Sequence, residues 1–275
     1  MSNYKTVFFT LGILLIILGV AMIVPVAFQL IYNEFDSTFI ISGIITITFG
    51  ILFFLSNIDH LKSINTHQAF LLTALSWLSI AIFGSLPFFF SQLNLSITDS
   101  FFESMSGITT TGATILSNIE DTPKGILIWR AFLQWLGGIG IVVIALFILP
   151  FLRIGGMQLF HLEGDDPYDK SLPKISSVVK RIFIIYATLT VTLIFLYYIC
   201  GMMPFDAISH SFTTISTGGF STYDSSFAFF NNDKILLVAI IFMILGSLPF
   251  LVLVQTSKKK IYLLFLKTNK LEFLY

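Results

Sequence analysis

Two short polar runs hold the residue types best suited to chemistry in this chain. Ser106-Gly107-Ile108-Thr109-Thr110-Thr111-Gly112-Ala113 recurs loosely as Phe212-Thr213-Thr214-Ile215-Ser216-Thr217-Gly218-Gly219, an alignment that pairs Gly112 with Gly218. Neither run carries a nucleophile beside a base, or paired carboxylates, so an enzyme has no residues to stand on. Both carry hydroxyl residues and glycine, and glycine permits backbone angles that turn carbonyls toward one axis. A ring of carbonyls replaces the hydration shell of a cation, and an ion satisfies non-helical backbone that hydrocarbon would leave unpaired. On that chemistry the coordinating backbone is Thr109, Thr110, Thr111 and Gly112 with Ile215, Ser216, Thr217 and Gly218. No side-chain carboxylate is required.

Such a site needs a short helix before each turn and apolar spans around it. Segments 98–109 and 204–215 are amphipathic and too short for the roughly 20 residues of a spanning helix, so each reads as re-entrant, entering and returning on one side. Pro204 suits a first helical turn, where its missing N–H has no partner anyway. The partially negative C-terminus of each short helix would face the turn and favour a cation. The 275 residues are 56% hydrophobic and 11% charged, with a mean hydropathy of +0.91, more apolar than a soluble domain can conceal. Spans are expected at 7–31, 39–55, 69–90, 127–152, 178–200 and 235–254. The first is longer than the apolar region of a secretory leader and lacks a small-residue cleavage site, which predicts a retained helix.

The predicted fold is therefore an all-α polytopic membrane protein with about six transmembrane helices and two re-entrant pore-loop hairpins. The order outer helix, short helix, turn, inner helix occurs twice, an internal repeat. Residues 1–62 form an N-terminal two-helix segment, 63–152 the first repeat, 153–177 a cytoplasmic linker, 178–257 the second repeat and 258–275 a basic cytoplasmic tail. Cationic residues give the orientation. With the N-terminus inside, Lys5, Lys62, Arg153, Lys170, Lys174, Lys180, Arg181 and the lysines after 257 all fall in the cytoplasm, leaving Lys124, Arg130 and Lys234 at the outer side. Both termini are then cytoplasmic and both turns extracytoplasmic. Equal topology of the two copies argues against the inverted repeats of secondary transporters.

Four separated motifs carry a family resemblance: Phe102-Glu103-Ser104-Met105-Ser106-Gly107-Ile108-Thr109-Thr110-Thr111-Gly112-Ala113-Thr114, Trp129-Arg130-Ala131-Phe132-Leu133-Gln134-Trp135-Leu136-Gly137-Gly138-Ile139-Gly140-Ile141, Gly155-Gly156-Met157-Gln158-Leu159-Phe160 and Ser216-Thr217-Gly218-Gly219-Phe220-Ser221. In that order they resemble the TrkH members of the Trk/Ktr/HKT potassium transporter superfamily. The resemblance implies potassium uptake through helix, pore loop and helix units in the bacterial inner membrane, with K+ as transported ion and no bound cofactor. It also implies control by a cytoplasmic nucleotide-binding subunit of the TrkA type. TrkH-like chains carry four units and this sequence carries two. The expectation is the N-terminal half of such a transporter, completed by a second half or a second copy; the alternative is a transport-inactive truncated membrane protein or an assembly-only subunit.

Other polar residues have plainer readings. Arg130 either pairs with Glu103 or Asp99, screens the entrance against cations, or snorkels to the interface. Gly137, Gly138 and Gly140 suit close helix packing, with approach to the filter or a hinge as the other readings. Outer carboxylates such as Asp99, Glu120 and Asp206 raise local cation concentration, although a solvated loop surface explains most of them. Glu163, Asp165, Asp166 and Asp169 lack the spacing of a calcium loop, and the four histidines lack ligand spacing. His210 alone lies in a short helix. One cysteine, Cys200, excludes disulfides within the chain. With a net charge of zero, nothing implies a nucleic-acid partner.

Overall fold

Proline decides where the outer spans bend. The computed structural model describes residues 4–58, 65–152 and 175–248. The run expected as one span at 7–31 is two helices, α1 (Lys5–Ala21) and α2 (Ile23–Ile31). Pro25 offers no N–H to the Ala21 carbonyl, so the ladder gives way at Met22, whose N–H reaches Gly19 instead at 3.3 Å. After α3 (Thr38–Leu55), the third span divides in the same manner into α4 (Thr66–Gly84) and α5 (Leu86–Phe90), with Pro87 in the first turn of α5. A capping box opens α4: the Gln68 N–H donates to Asn65 Oδ1 at 2.9 Å, and the Asn65 N–H donates to Gln68 Oε1 at 3.1 Å.

Small residues set how closely α1 and α3 approach. A Cβ on Gly12 would lie 2.6 Å from the Phe54 nitrogen, and one on Gly50 would lie 2.9 Å from the Gly12 carbonyl oxygen. One turn pair further along, Gly19 meets Gly43 in the same way. The backbones touch, which is how helices gain contact in a bilayer that supplies no hydrophobic drive between them.

The repeats follow as α6 (Ile97–Ile108), α7 (Lys124–Leu152), α8 (Ile175–Ile199), α9 (Pro204–Ile215) and α10 (Asp233–Ser247). At 12 residues each, α6 and α9 are about 18 Å long against a hydrocarbon core of about 30 Å. The Ser96 hydroxyl caps α6 by accepting from the Asp99 N–H at 3.1 Å. At the end of α8, Gly201 takes φ +104° and the Met202 N–H returns to the Tyr197 carbonyl at 3.0 Å, a stop that turns the chain directly into Pro204.

Two of the buried clusters among the described residues join most of these elements. Leu18, Met22, Phe39, Phe88, Ile126, Trp129 and Leu133 fasten the N-terminal helices to α7. Ile182, Tyr186, Leu193, Tyr197, Ile215, Ala239 and Phe242 join α8, α9 and α10. Among the described residues all regular structure is helical, and Lys5–Ile31, Thr38–Leu55, His67–Phe90 and Val178–Ile199 are long and apolar enough to cross a membrane. Of the other two expected spans, 127–152 lies within the 29-residue α7, and α10 covers 235–254 as far as Ser247. The rest of that span, most of the linker with its Gly155-Gly156 motif, and the basic tail lie outside the described residues. The chain is an all-helical membrane protein.

Candidate functional site

Both short helices end in the same backbone device. The Thr111 N–H bonds back to the Ser106 carbonyl at 3.0 Å and the Thr110 N–H to Gly107 at 3.0 Å; the Gly218 N–H bonds to Thr213 at 2.8 Å and the Thr217 N–H to Thr214 at 3.0 Å. This pairing closes a Schellman cap, whose left-handed position normally belongs to glycine. Here it belongs to Thr110 (φ +56°) and Thr217 (φ +54°), a costly conformation for β-branched residues and one that persists only where surrounding structure enforces it.

The backbone also corrects the register of the repeat by one residue. Ile108 and Ile215 each close a helix, Thr110 matches Thr217, and Gly112 (φ +79°) matches Gly219 (φ +84°), not Gly218. Ile215, expected in the coordinating run, is the buried last residue of α9, and its carbonyl abuts Gly246 of α10 as the Ile108 carbonyl abuts Gly137 of α7. Gly218 occupies the position of Thr111. Its carbonyl accepts from Gln134 Nε2 at 2.9 Å, so it is already engaged. The two loops touch: a Cβ on Gly112 would collide with the Gly218 carbonyl oxygen.

A buried ion pair ties the first loop to the inner helix. Arg130 Nε donates to Glu103 Oε1 at 2.6 Å, with the two side chains 1% and 0% exposed. Arg130 therefore neither snorkels nor reaches Asp99, which instead accepts from the Ser96 hydroxyl at 2.7 Å. Glu103 is further satisfied by Thr114, whose hydroxyl is shared between its two oxygens at 2.9 and 3.0 Å, and by the Ile115 N–H at 3.1 Å. A charge so buried is tolerable only with this many partners. The guanidinium then crosses to the second loop: Nη1 donates to the Ser221 carbonyl at 3.2 Å, and the group lies 4.2 Å from the Phe220 ring centroid.

One turn further along α7, Gln134 grips the second loop with both ends of its amide. Its Nε2 donates to Gly218, and its Oε1 accepts from the Phe220 N–H at 3.1 Å. Gly137 and Gly138 complete this face: a Cβ on Gly137 would strike the Ile108 carbonyl, and one on Gly138 would lie 2.6 Å from the Tyr186 hydroxyl and 2.9 Å from Ser216 Cβ. Approach to the loops is thus what these two glycines provide. Gly140 has nothing within 4 Å. Sequence reasoning missed Gln134, Thr114 and Ser221. The spacing of Arg130, Gln134, Gly137 and Gly138 was the available signal, because such residues share one helical face.

Among the described residues the second unit has no ion pair at the place where the first has one. His210 takes the place of Glu103, fully buried, with Nδ1 3.0 Å from the Asp206 carbonyl oxygen and Nε2 3.1 Å from Ser221 Oγ. Phe227 and Phe230 stand edge-on to its ring. Asp206, in the first turn of α9, accepts from the Thr222 hydroxyl at 2.7 Å and the Tyr223 hydroxyl at 2.9 Å. Partial burial, with the bond to Asp206 second, pushes the Tyr223 phenol up to about 12. Among the described residues no cluster of His, Cys, Asp or Glu has the arrangement of a metal site.

The family description "TrkH: Cation transport protein" matches residues 36–274. A Trk system potassium uptake protein TrkH of Vibrio parahaemolyticus is 38% identical over 252 residues, taking in 90% of this chain and 52% of that protein. The Trk system potassium uptake protein TrkI of Halomonas elongata is 40% identical over 247 residues, covering 89% of this chain and 50% of its own. The crystal structure of the potassium transporter TrkH from Vibrio parahaemolyticus matches with a TM-score of 0.75 at 37% identity, over 88% of this chain and 49% of that one. The chain thus spans about half the length of the curated relatives it matches. With most of its sequence taken in by the family match and its helices by the solved structure, the chain belongs to the TrkH family of cation transport proteins.

Proposed function

We propose that this chain is the N-terminal half of a potassium uptake system in a bacterial inner membrane. Backbone carbonyls of Thr109 to Gly112 and of Ser216, Thr217 and Gly219 coordinate dehydrated K+ in turn, while the Gly218 carbonyl is held by Gln134. The observation that carries the reading is the repeated loop backbone, with left-handed Thr110 and Gly112 matched by Thr217 and Gly219 at the ends of two short helices. Carbonyls presented this way, with two helix C-termini behind them, suit a cation and need no carboxylate. Relatives named as potassium uptake proteins support the choice of ion. The repeats are 63–152 and 178–257, and they act with a second half, or a second copy, that supplies the other sides of the filter. Both termini are cytoplasmic, as the cation distribution favours. A TrkA-type nucleotide-binding subunit is the regulatory partner on that side.

Growth of a potassium-uptake-deficient bacterium at low potassium tests this. Co-expression with a second half carrying two further units restores growth, and Gly112→Asp or Gly219→Asp abolishes it with the protein still present in the membrane. Undiminished growth of either variant removes the filter assignment, and no growth of any combination removes the uptake reading.

A further inference from the structure

Gln134 is fully buried, and both of its amide ends are used on one segment of backbone, the peptide units flanking Gly219. The partners fix its orientation without ambiguity. The Gly218 carbonyl is only an acceptor and the Phe220 N–H only a donor, so Nε2 must face the first and Oε1 the second. The residue held between these bonds, Gly219, has φ +84° and open space where a Cβ would be, so its own neighbourhood does not restrain it. Gly218, by contrast, is wedged against the Gln134 amide, which any Cβ would overlap. At the matching position of α10, one turn before Gly246, stands Met243, which has no donor to offer a neighbouring loop.

We infer that Gln134 is a positioning residue for cation selectivity: it turns the Gly218 carbonyl away from the ion path and holds Gly219 in its left-handed conformation, fixing which second-loop carbonyls an ion meets. This rests on the uptake reading above. Discrimination between cations of one charge depends on the number and placement of carbonyls, so a loop released from Gln134 coordinates a smaller ion about as well as a larger one. The side chain touches no ion. It acts through the backbone it holds.

The experiment is Gln134→Met in the assembled transporter, an apolar side chain of similar length, read in two ways. Amide hydrogen exchange of the peptide covering 216–222 is compared with that of the peptide covering 109–115, and rubidium uptake is measured in competition with sodium. Loss of two buried bonds raises exchange of the second loop about tenfold while the first loop stays unchanged, and sodium becomes about a tenfold better competitor. Unchanged exchange in the second loop overturns the grip itself. Equal acceleration of both loops overturns it as well, since the effect is then general loosening. Faster exchange in the second loop alone, with sodium competition unchanged, overturns the selectivity role. A wild-type transporter that carries no rubidium overturns the uptake reading and the selectivity role together, while exchange still decides whether Gln134 holds the loop.

Discussion

The two repeat units share a loop backbone and differ in what fastens it. In the first, Glu103 of α6 meets Arg130 of α7 as a buried ion pair. In the second, His210 occupies the place of Glu103 and Ala239 that of Arg130, each of the latter pair lying two turns before the glycine that abuts the end of a short helix. The second helix is held instead by His210 and Tyr197, the latter with its hydroxyl 2.8 Å from Thr214 Oγ1. The same loop shape is therefore reached with a buried ion pair between short helix and inner helix in one unit and without one in the other. Arg130 and Gln134 both leave the first unit to grip the second loop, so the first inner helix positions two loops.

The ion pair is where the comparison breaks most visibly. Glu103→Gln or Arg130→Met leaves one buried charge without its partner and costs about 3–5 kcal/mol, whereas the double replacement costs less than the two single changes added together. Thermal unfolding in detergent measures all three; strict additivity would mean that the pair is not a unit. The glycines separate next. Gly112→Ala meets both the left-handed backbone and the Gly218 carbonyl, while Gly219→Ala meets only the backbone, a penalty of about 1–2 kcal/mol. Gly112→Ala is thus the more damaging to stability and to potassium-dependent growth, and the reverse order would show that the loops do not touch.

His210→Gln probes the unit that lacks the ion pair. Loss of the bond to Ser221 and of ring packing costs about 1–3 kcal/mol, less than either single change at the ion pair, again by thermal unfolding. The smallest effect is expected at Tyr223→Phe, about 0.5–1.5 kcal/mol for one hydrogen bond to Asp206. The sign of its pH dependence follows from the raised phenol: the contribution is complete below the ordinary tyrosine value near 10 and is lost as pH rises through about 12. Ultraviolet titration of wild type against Tyr223→Phe reads that phenol directly.

Much of this was legible in the letters and some was not, for reasons that differ by residue. The short helices at 97–108 and 204–215 follow from amphipathic segments beside Ser96 and Pro204. The breaks at Met22 and Ser85 were equally available from Pro25 and Pro87, since a missing N–H interrupts a helix wherever it falls. The register of the second loop was not. Gly218-Gly219 offers two candidates for the partner of Gly112, and matching the first glycine places Ile215 among the coordinating residues. Only backbone dihedrals distinguish a glycine used for φ > 0 from one used because Gln134 leaves no room for a side chain.

Composition and the repeated Ser-Thr-Gly run determined by themselves that this is a helical membrane protein with two short helices each ending in a glycine-bearing turn, because burial in lipid and the limits on unpaired backbone act on local sequence. The tertiary structure decided what local sequence does not encode: that Arg130 is buried against Glu103, that Gln134 faces the second loop, and that Gly112 pairs with Gly219. Each of these depends on segments distant along the chain arriving at one place, where a buried charge or carbonyl must find whichever partner the packing brings.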